Sequence, residues 1–299
     1  MHPSPRYLLE QTPVISAMVR AVIGTMGKKT TTSAAGIDVP GREYRGRVPA
    51  PSAELCRDFV RYCGGDPSPY RNGRIPALLF SQWAFPLITE GLRHLPFDLQ
   101  RVLNFACDLT IAGPLVADRG TLELTVQLVE LEESDKGVRM ATRVTTAGKA
   151  GAEPTLTAMM HALVPKKRKP GQRREKSASE LVPFDARKIG ERRFSATAGR
   201  DFAILTGDIN PVHWLPPYAR AAGFKRPILH GFAQMGWVAE SLVRAVFAGD
   251  VDRLRRLSIH FKKPLLLPGS ASLYLAEGNR FAVGAAPGAT PFGTGEFNS

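Results

Sequence analysis

The chain repeats itself once, and this internal repeat limits the possible folds more than any other feature of the sequence. The segment FVRYCGGDPSPYRNGRIPALLFSQW in the first half parallels FAILTGDINPVH and then KRPILHGFAQM in the second. Further along, DLTIAGPLVADRGTLELTV parallels IHFKKPLLLPGSASLYL. The period is that of a whole domain and is too long for a solenoid. A duplicated domain most simply forms a pseudo-two-fold pair, which mimics a dimer of single domains within one chain.

Each half places one long apolar helix ahead of its strands. In the second half this helix is GFAQMGWVAESLVRAVF, whose apolar residues recur at helical spacing around most of the circumference. A helix that is apolar on nearly every side has to be wrapped by other elements. Runs such as TLELTVQLVEL and ASLYLAE alternate as antiparallel strands covered on one face do. The sequence therefore predicts an α+β fold in which a curved antiparallel sheet wraps each helix.

The length of 299 residues is comfortable for two domains. We predict an N-terminal helical extension over 1–40, a first domain over 41–165, a basic linker over 166–182 and a second domain over 183–299. The linker holds the run KKRKPGQRREK, with seven bases and one acid, so it supplies +6 of the formal net charge of +13. Because no aromatic residues are interleaved with these bases, we interpret the run as solvated and expect no nucleic-acid partner. The remaining positive charge is mild and would suit a ligand with phosphates.

Cysteine usage and hydropathy indicate the compartment. Cys56, Cys63 and Cys107 are an odd number without metal-ligand spacing, which argues against a disulfide framework and for a reducing cytosol. No apolar run reaches the ~20 residues of a membrane span. The segment YLLEQTPVISAMVRAVIGTMGKK is interrupted by charges, and we interpret it as an amphipathic helix packed on the body of the protein. We therefore expect a cytoplasmic protein with no transmembrane segment.

The stretch TGDINPVH is the part of the chain that does not read as scaffold. It holds Asp208 and His213 five positions apart, with Pro211 between them. Taken alone, an aspartate before an Asn-Pro turn is usually a turn former, and a lone histidine is usually structural. Pro211 forbids a helix interior and biases Asn210 toward an extended conformation, so the segment is predicted to be a rigid loop.

The first half contains a damaged copy of this stretch, and it can be aligned in two ways. Aligned on the Gly-Asp pair, Arg71 falls where His213 stands. Aligned without a gap from Phe59, Gly65 takes the place of Asp208 and Tyr70 that of His213. Either way the imidazole is missing, so we interpret the first half as a copy kept for its shape.

Two further differences separate the copies. Asp66 to Pro76 is ten residues, whereas Asp208 to Pro227 is nineteen, so most of the segment WLPPYARAAGF is missing from the first half. The pair His-Gly that precedes the second helix, at 230–231, is replaced by Leu-Phe, at 79–80, in the first half.

The pattern aromatic-x-x-x-Thr-Gly-Asp-x-Asn-Pro-x-His, from Phe202 to His213, resembles the hydratase motif of MaoC-like (R)-specific enoyl-CoA hydratases and 3-hydroxyacyl-thioester dehydratases. A second landmark of that family, Ala-Gly-Phe followed by Pro-Ile-x-His-Gly, is matched over 222–231. A third, Phe-x-x-Pro-x-x-x-Pro, is matched by Phe261, Pro264 and Pro268. The resemblance covers residues ~185–299 well and the first half more loosely. It implies a double hot-dog fold, in which two antiparallel sheets each wrap a central helix.

The resemblance also implies the activity, which is the reversible hydration of trans-2-enoyl thioesters or the dehydration of (R)-3-hydroxyacyl thioesters in fatty-acyl metabolism. Asp208 and His213 would hold one water between them, and the Gly231 backbone N–H would bind the thioester oxyanion. The residues expected in support of these are Thr206, Asn210 and His230, and those expected to contact the substrate are Phe202, Pro227 and Phe232.

The expected partner is an acyl group on coenzyme A (CoA) or on acyl carrier protein, with no metal and no other cofactor. We expect a monomer or a homodimer of double hot-dogs. The first-half helix LLFSQWAFPLITEGL is predicted to give room for a medium or long acyl tail. The C-terminal tail AAPGATPFGTGEFNS departs from the family pattern, and imperfect last strands are expected there.

Two other functions remain open from the sequence. A hot-dog thioesterase would share the scaffold and the acyl ligand but would hydrolyse the thioester. A non-catalytic subunit that binds acyl thioesters would share them too, although it would have no need for both Asp208 and His213.

Overall fold

The structure is a computed structural model that describes residues 2–25, 33–98, 102–166 and 180–299. Most of the basic run, and with it the centre of the predicted linker, lies outside these residues. The described α-helices are α1 (Tyr7–Glu10), α2 (Thr12–Thr25), α3 (Ala53–Cys63), α4 (Phe80–Leu92), α5 (Ala198–Thr206), α6 (Pro216–Ala221) and α7 (Gly231–Ala245).

The described strands are β1 (Tyr44–Pro49), β2 (Arg74–Ile75), β3 (Leu103–Ile111), β4 (Leu115–Val116), β5 (Thr121–Ser134), β6 (Gly137–Ala147), β7 (Leu156–Pro165), β8 (Arg187–Phe194), β9 (Arg256–Phe261), β10 (Gly269–Ala276), β11 (Arg280–Gly284) and β12 (Gly293–Asn298). The short strands β2 and β4 pair with each other. The other ten form one antiparallel sheet in the order β1-β5-β6-β7-β3-β9-β12-β11-β10-β8.

The strand order is the same when it is counted from either edge of the large sheet. The first half supplies β1, β5, β6, β7 and β3, and the second half supplies β8, β10, β11, β12 and β9 in the matching positions. The halves join where β3 pairs with β9, with Cys107 opposite Ile259. The predicted α+β class and the pseudo-two-fold pair are both confirmed by this arrangement.

Helix α7 lies against the sheet of the second half and is enclosed on almost every side. Eleven consecutive residues from Ala233 to Val243 are buried, as the apolar circumference predicted. Helix α4 takes the same place in the first half, with Phe80 and Trp83 buried. Side chains of both halves belong to one hydrophobic cluster, so the two halves share a continuous core.

The N-terminal helices lie on the body of the protein, as predicted for this segment. Helix α2 packs along α4, and its side chains Val14 and Ala17 are buried. Just ahead of it, Tyr7 is buried and donates a hydrogen bond of 2.7 Å from its hydroxyl to Asp58. None of the described helices is long and apolar enough to cross a membrane.

The prediction of imperfect strands at the C-terminus was wrong. Strand β12 pairs with β9 on one side and β11 on the other, which completes the second half of the sheet. A Cβ atom at Gly295 would collide with the backbone oxygen of Ser258 on β9. Glycine therefore permits the close pairing here, and because glycine lowers the apparent strand propensity, composition alone hides the strand.

Candidate active site

The TGDINPVH stretch forms a loop that begins where α5 ends. Gly207 ends the helix with a φ of 77°, a left-handed conformation that glycine adopts without strain. The Asp208 carboxylate then accepts a hydrogen bond of 3.3 Å from the Asn210 backbone N–H. The Asn210 side chain in turn accepts one of 3.2 Å from the N–H of Val212, which caps the 3₁₀ turn Pro211–His213. These short-range bonds fix the spacing of the two candidate catalytic residues along the loop.

The first-half loop has the same backbone plan, and it selects one of the two possible alignments. Helix α3 ends at Gly64, whose φ is 84°, and a 3₁₀ turn follows over Ser68–Tyr70. Both loops therefore place a turn-ending residue six positions after the helix-ending glycine. The gapless alignment is correct, with Gly65 at the place of Asp208 and Tyr70 at the place of His213.

The loop brings Asp208, His213 and His230 into one cluster. One nitrogen of each imidazole and one carboxylate oxygen of Asp208 lie within 4.8 Å of one another. A single water can bridge two atoms at this separation, because each of its hydrogen bonds spans about 2.8 Å. Asp208 is partly open to solvent, with its side chain 32% exposed, whereas the His230 side chain is 2% exposed.

The orientation of His213 is set by a backbone carbonyl. Its Nδ1 lies 2.8 Å from the carbonyl oxygen of Ile228, which can only accept a hydrogen bond. Nδ1 therefore carries the proton, and in the neutral ring Nε2 keeps its lone pair and can act as a base. Burial of the ring lowers the pKa of His213 below its usual 6.5, against the opposing attraction of Asp208.

His230 lies face to face with His213. The two ring centroids are 3.6 Å apart with 24° between the planes. The centroid of the Phe202 ring lies 4.7 Å from that of the His230 ring. Burial, reinforced by the neighbouring His213, lowers the pKa of His230 well below 6.5. Its Nε2 is 3.2 Å from the Asp208 backbone oxygen, and its buried Nδ1 has no hydrogen-bond partner among the described residues. Both imidazoles are therefore neutral at neutral pH.

The same three residues are the set that would be considered first for a metal ion. An imidazole binds a metal through a lone pair in its ring plane, at about 2.1 Å for zinc. The two rings are nearly parallel and 3.6 Å apart, so their lone pairs do not converge on one point. The His213 Nδ1 is also engaged with the Ile228 carbonyl. The cluster suits proton transfer better than it suits metal binding.

Gly231 is the first residue of α7, directly after His230. Its backbone N–H has no hydrogen-bond partner among the described residues and points from the positive end of a long helix. A Cβ atom at this position would lie 2.8 Å from the Phe261 ring, so only glycine allows that ring to lie across the start of the helix. An unpaired N–H of this kind can bind a developing oxyanion.

The other predicted site residues are divided between the cluster and its surroundings. Phe202 contacts His230, and the Thr206 hydroxyl donates a hydrogen bond of 2.9 Å to the Phe202 carbonyl. The Pro227 carbonyl accepts a hydrogen bond from Leu267, and Phe232 lies edge-on against Phe80 of the first half. No hydrogen bond or ring contact in the described ranges joins Pro227 or Phe232 to Asp208 or His213.

The structure adds residues that the sequence did not single out. Gln11 is fully buried. Its side-chain amide donates a hydrogen bond of 2.9 Å to the Leu205 carbonyl and accepts one of 3.1 Å from the side chain of Gln82 on α4. A Cβ atom on Gly207 would lie only 2.7 Å from the Val14 side chain. The N-terminal helices thus hold the start of the loop. The contacts with Leu205 and Gly207 link residues about 190 positions apart and have no local sequence signal.

Gly199 supports the end of the loop from the first turn of α5. A Cβ atom at Gly199 would collide with the His213 backbone oxygen, so the helix and the 3₁₀ turn approach more closely than any other residue allows. In the sequence this glycine is indistinguishable from an ordinary glycine near a helix start.

Comparison with known proteins finds similarity in the segment that contains this loop. Residues 169–280 match the family model described as MaoC like domain. The chain is 39% identical over 80 residues to 3-hydroxyacyl-thioester dehydratase X of Mycobacterium tuberculosis, which covers 27% of each protein. It is 31% identical over 92 residues to the (R)-specific enoyl-CoA hydratase of Aeromonas caviae, covering 31% of this chain and 53% of the relative. The chain thus aligns with well under two thirds of the length of these curated relatives.

Solved structures match over more of the chain. The crystal structure of HtdX from Mycobacterium tuberculosis covers 86% of this chain and 99% of its own, at 20% identity and a TM-score of 0.64. A second Mycobacterium tuberculosis protein, described as having a double hot-dog fold, covers 87% of this chain and 96% of its own, at 14% identity and a TM-score of 0.54. The chain therefore has the double hot-dog fold, and residues 169–280 are similar to the MaoC like domain.

Proposed function

We propose that this protein is a hydro-lyase that adds water to the double bond of trans-2-enoyl thioesters and, in reverse, dehydrates (R)-3-hydroxyacyl thioesters. The observation that carries the proposal is the cluster of Asp208 and a neutral His213 beside the unpaired N–H of Gly231. The names of the two curated relatives, a hydratase and a dehydratase of acyl thioesters, support the same reaction class.

In the hydration direction, one water lies between the Asp208 carboxylate and the His213 Nε2. As its oxygen forms a bond to C3, the water gives up a proton to this pair, and Nε2 is free to accept it because Nδ1 is occupied by the Ile228 carbonyl. The pair then returns a proton to C2, so that water is added across the double bond with no net change in the enzyme. The depressed pKa of His213 keeps this base unprotonated at neutral pH.

Negative charge moves onto the thioester oxygen when C3 is attacked. The Gly231 N–H at the start of α7 would donate a hydrogen bond to this oxygen, with the helix dipole adding to the attraction. A donor of this kind contributes about 3 kcal/mol to catalysis. Proton transfer and one hydrogen-bond donor suffice for the reaction, and we propose that it needs no metal or redox cofactor.

The acyl tail is proposed to lie toward the first half, along α4. Helix α2 packs along α4, and its side chains Val14 and Ala17 are buried. A long tail therefore has to run beside α2, and the N-terminal extension would take part in the choice of chain length. One chain supplies both halves of the pseudo-dimer, and we propose that it acts in the cytoplasm as a monomer or as a homodimer of double hot-dogs.

The experiment is an assay of trans-2-enoyl-CoA substrates from crotonyl to hexadecenoyl, with chiral analysis of the product and a thiol reagent present. Hydration predicts loss of the enone absorbance, formation of the (R)-3-hydroxyacyl thioester and no free thiol. Release of thiol would instead indicate a thioesterase. Binding of the thioester with no change in either signal would indicate a non-catalytic binding subunit. Equal turnover of the shortest and longest substrates would contradict a tail site along α4.

A further inference from the structure

An exposed segment, Trp214–Arg226, leaves the candidate active site and returns to it. Its two ends are clamped together, because the Ile228 carbonyl lies 2.8 Å from His213 Nδ1 and the Ile228 N–H donates 3.3 Å to the Val212 carbonyl. All of its residues are exposed except Ala219, which is buried, and Phe224, which is partly buried. A hydrogen bond of 2.9 Å from the Phe224 N–H to the Ala219 carbonyl closes it internally. The segment is thus an anchored surface element beside the reacting residues.

The charge of this segment has one sign. Arg220, Lys225 and Arg226 are exposed, and none of them forms an ion pair within the part of the chain that the structure describes. No aspartate or glutamate occurs between Asp208 and Glu240 in the sequence. Three cations without acidic partners within seven positions make a local site for anions.

Exposed aromatic side chains accompany these cations. Trp214 is 37% exposed and Tyr218 is 46% exposed, although apolar side chains of this size are mostly buried elsewhere in the chain. The Trp214 indole N–H donates a hydrogen bond of 3.1 Å to the Ile209 carbonyl. This bond fixes the ring beside the loop that holds Asp208 and His213. Flat rings next to cations are the combination that binds a purine base together with phosphates.

The first half lacks this segment. There the turn-ending Tyr70 is followed after three residues by β2, and Ile75 pairs with Leu115. In the second half the equivalent bridge joins Ile228 to Leu266, and the whole segment lies between His213 and that bridge. The half with the acid and the imidazole is therefore also the half with the cationic segment. An element needed only for the fold would be expected in both halves.

We propose that Trp214–Arg226 binds the nucleotide end of coenzyme A, with its three cations on the phosphates and its exposed aromatic rings beside the adenine. This inference rests on the proposed function and names the carrier of the acyl group. Acyl carrier protein presents its thioester on an arm without adenine, and it would need a contact area of roughly 800 Å² on this side of the interface. A single segment with free rings and free cations fits the smaller carrier better.

The test compares two substrates that differ only in the nucleotide, a trans-2-enoyl-CoA and the same enoyl group on pantetheine. In a variant with Arg220→Ala, Lys225→Ala and Arg226→Ala, the KM for the CoA thioester is expected to rise about tenfold or more with kcat unchanged. The KM for the pantetheine thioester is expected to stay the same. Added salt should raise the KM of the unaltered protein for the CoA thioester and have little effect on the variant.

The control variant removes three other exposed arginines, Arg45, Arg187 and Arg280, which lie on strands of both halves outside this segment. It lowers the net charge equally and should leave the KM for both substrates unchanged. An equal rise for the CoA thioester in the control variant would mean that general charge, rather than this segment, attracts the substrate. Equal changes for both thioesters in the first variant, or no change for either, would overturn the proposal.

Failure of the proposed function is a separate outcome. If the unaltered protein turns over neither thioester, the hydro-lyase proposal fails, and titration of the protein with free CoA and with pantetheine still tests the segment. Binding of CoA that is lost in the triple variant would support the segment even then. An active protein that uses enoyl-acyl carrier protein but not the CoA thioester would contradict the assignment to CoA.

Discussion

The two halves carry the same loop after the same helix end, and only the loop of the second half holds an acid and an imidazole. In the second half, Asp208 and His213 come from the loop itself. In the first half, Gly65 and Tyr70 stand at those places, and a Cβ atom at Gly65 would collide with the carboxylate of Glu240 from α7. The Tyr70 hydroxyl lies 3.3 Å from that carboxylate. In the first half, the space beside Gly65 that an aspartate side chain would occupy is therefore filled by the carboxylate of Glu240 from the second half.

The difference shows what surroundings do to a carboxyl group at equivalent places. Asp208 keeps access to solvent and an imidazole partner, whereas Glu240 is 5% exposed and has a phenol as its partner. Burial raises the pKa of Glu240 to about 7, despite the hydrogen bond from Tyr70 and the charge of Arg244. The cavity beside Tyr70 and Glu240 measures about 30 Å³, enough for about two waters and not for an acyl group. We therefore expect the first-half site to have a structural role.

The largest expected effect comes from removing the reactive groups. Asp208→Asn and His213→Ala should each lower kcat by about 10²- to 10⁴-fold, because each removes one member of the proton-transferring pair. The matched control is Tyr70→Phe, which removes the hydroxyl at the equivalent place in the first half and should leave kcat unchanged. Steady-state hydration kinetics measure both. Full activity of Asp208→Asn, or a comparable loss in Tyr70→Phe, would contradict the division of roles between the halves.

The second effect concerns stability and its dependence on pH. The folded-state pKa of Glu240 is raised above the unfolded 4.5, so its contribution to stability is fully present below about pH 4.5 and is lost as the pH rises through about 7. Glu240→Gln removes this dependence. Relative to the unaltered protein, the variant should gain on the order of 3 kcal/mol between about pH 5 and about pH 8.

Urea unfolding at several pH values measures this difference, with Glu296→Gln on the exposed face of β12 as the control. The groups that face Glu240 are Tyr70, Arg244 and Asp66, and all three are retained in the variant. Parallel stability curves for Glu240→Gln and the unaltered protein would show that this carboxyl is solvated after all.

A third, smaller effect tests how the catalytic loop is held. Gly199→Ala places a methyl group against the His213 backbone oxygen and should shift the imidazole. A displacement of this kind lowers kcat by about 10- to 100-fold with little change in KM. Gly113→Ala is the control, because no heavy atom lies within 4 Å of a Cβ atom there. If both glycine variants are equally active, the contact with His213 does not position the base.

The smallest effect is a difference in titration. The pKa of His213 is lowered below 6.5 by burial, whereas the hydrogen bond and charge of Asp108 raise the pKa of His161 on the sheet above 6.5. NMR titration should therefore give a pKa below 6.5 for His213 and a pKa above 6.5 for His161. Since the proposed mechanism needs neutral His213, the loss of kcat/KM toward low pH should have its midpoint below pH 6.5 as well. An apparent pKa above 6.5 on the acid side of the kcat/KM profile would contradict the assignment of His213 as the base.

The sequence by itself determined the architecture and the position of the reactive loop. The repeat predicted the paired halves, the apolar circumference of 231–245 predicted a wrapped helix, and the spacing of TGDINPVH predicted an acid and an imidazole on one rigid turn. These are features of periodicity and short-range turn chemistry, which the order of residues contains directly. The glycine-rich strand at 293–298 was missed because close pairing with a neighbour, not strand propensity, requires those glycines.

Only the tertiary structure decided which groups meet across the fold. The stacking of His230 on His213, the hold of Gln11 and Val14 on the loop, and the placing of Glu240 beside Gly65 each join residues far apart in sequence. It also fixed the protonated nitrogen of His213, because the Ile228 carbonyl reaches it from another segment. Such contacts depend on how elements pack against one another. The pKa of a buried group follows from its final surroundings, which no local pattern of residues records.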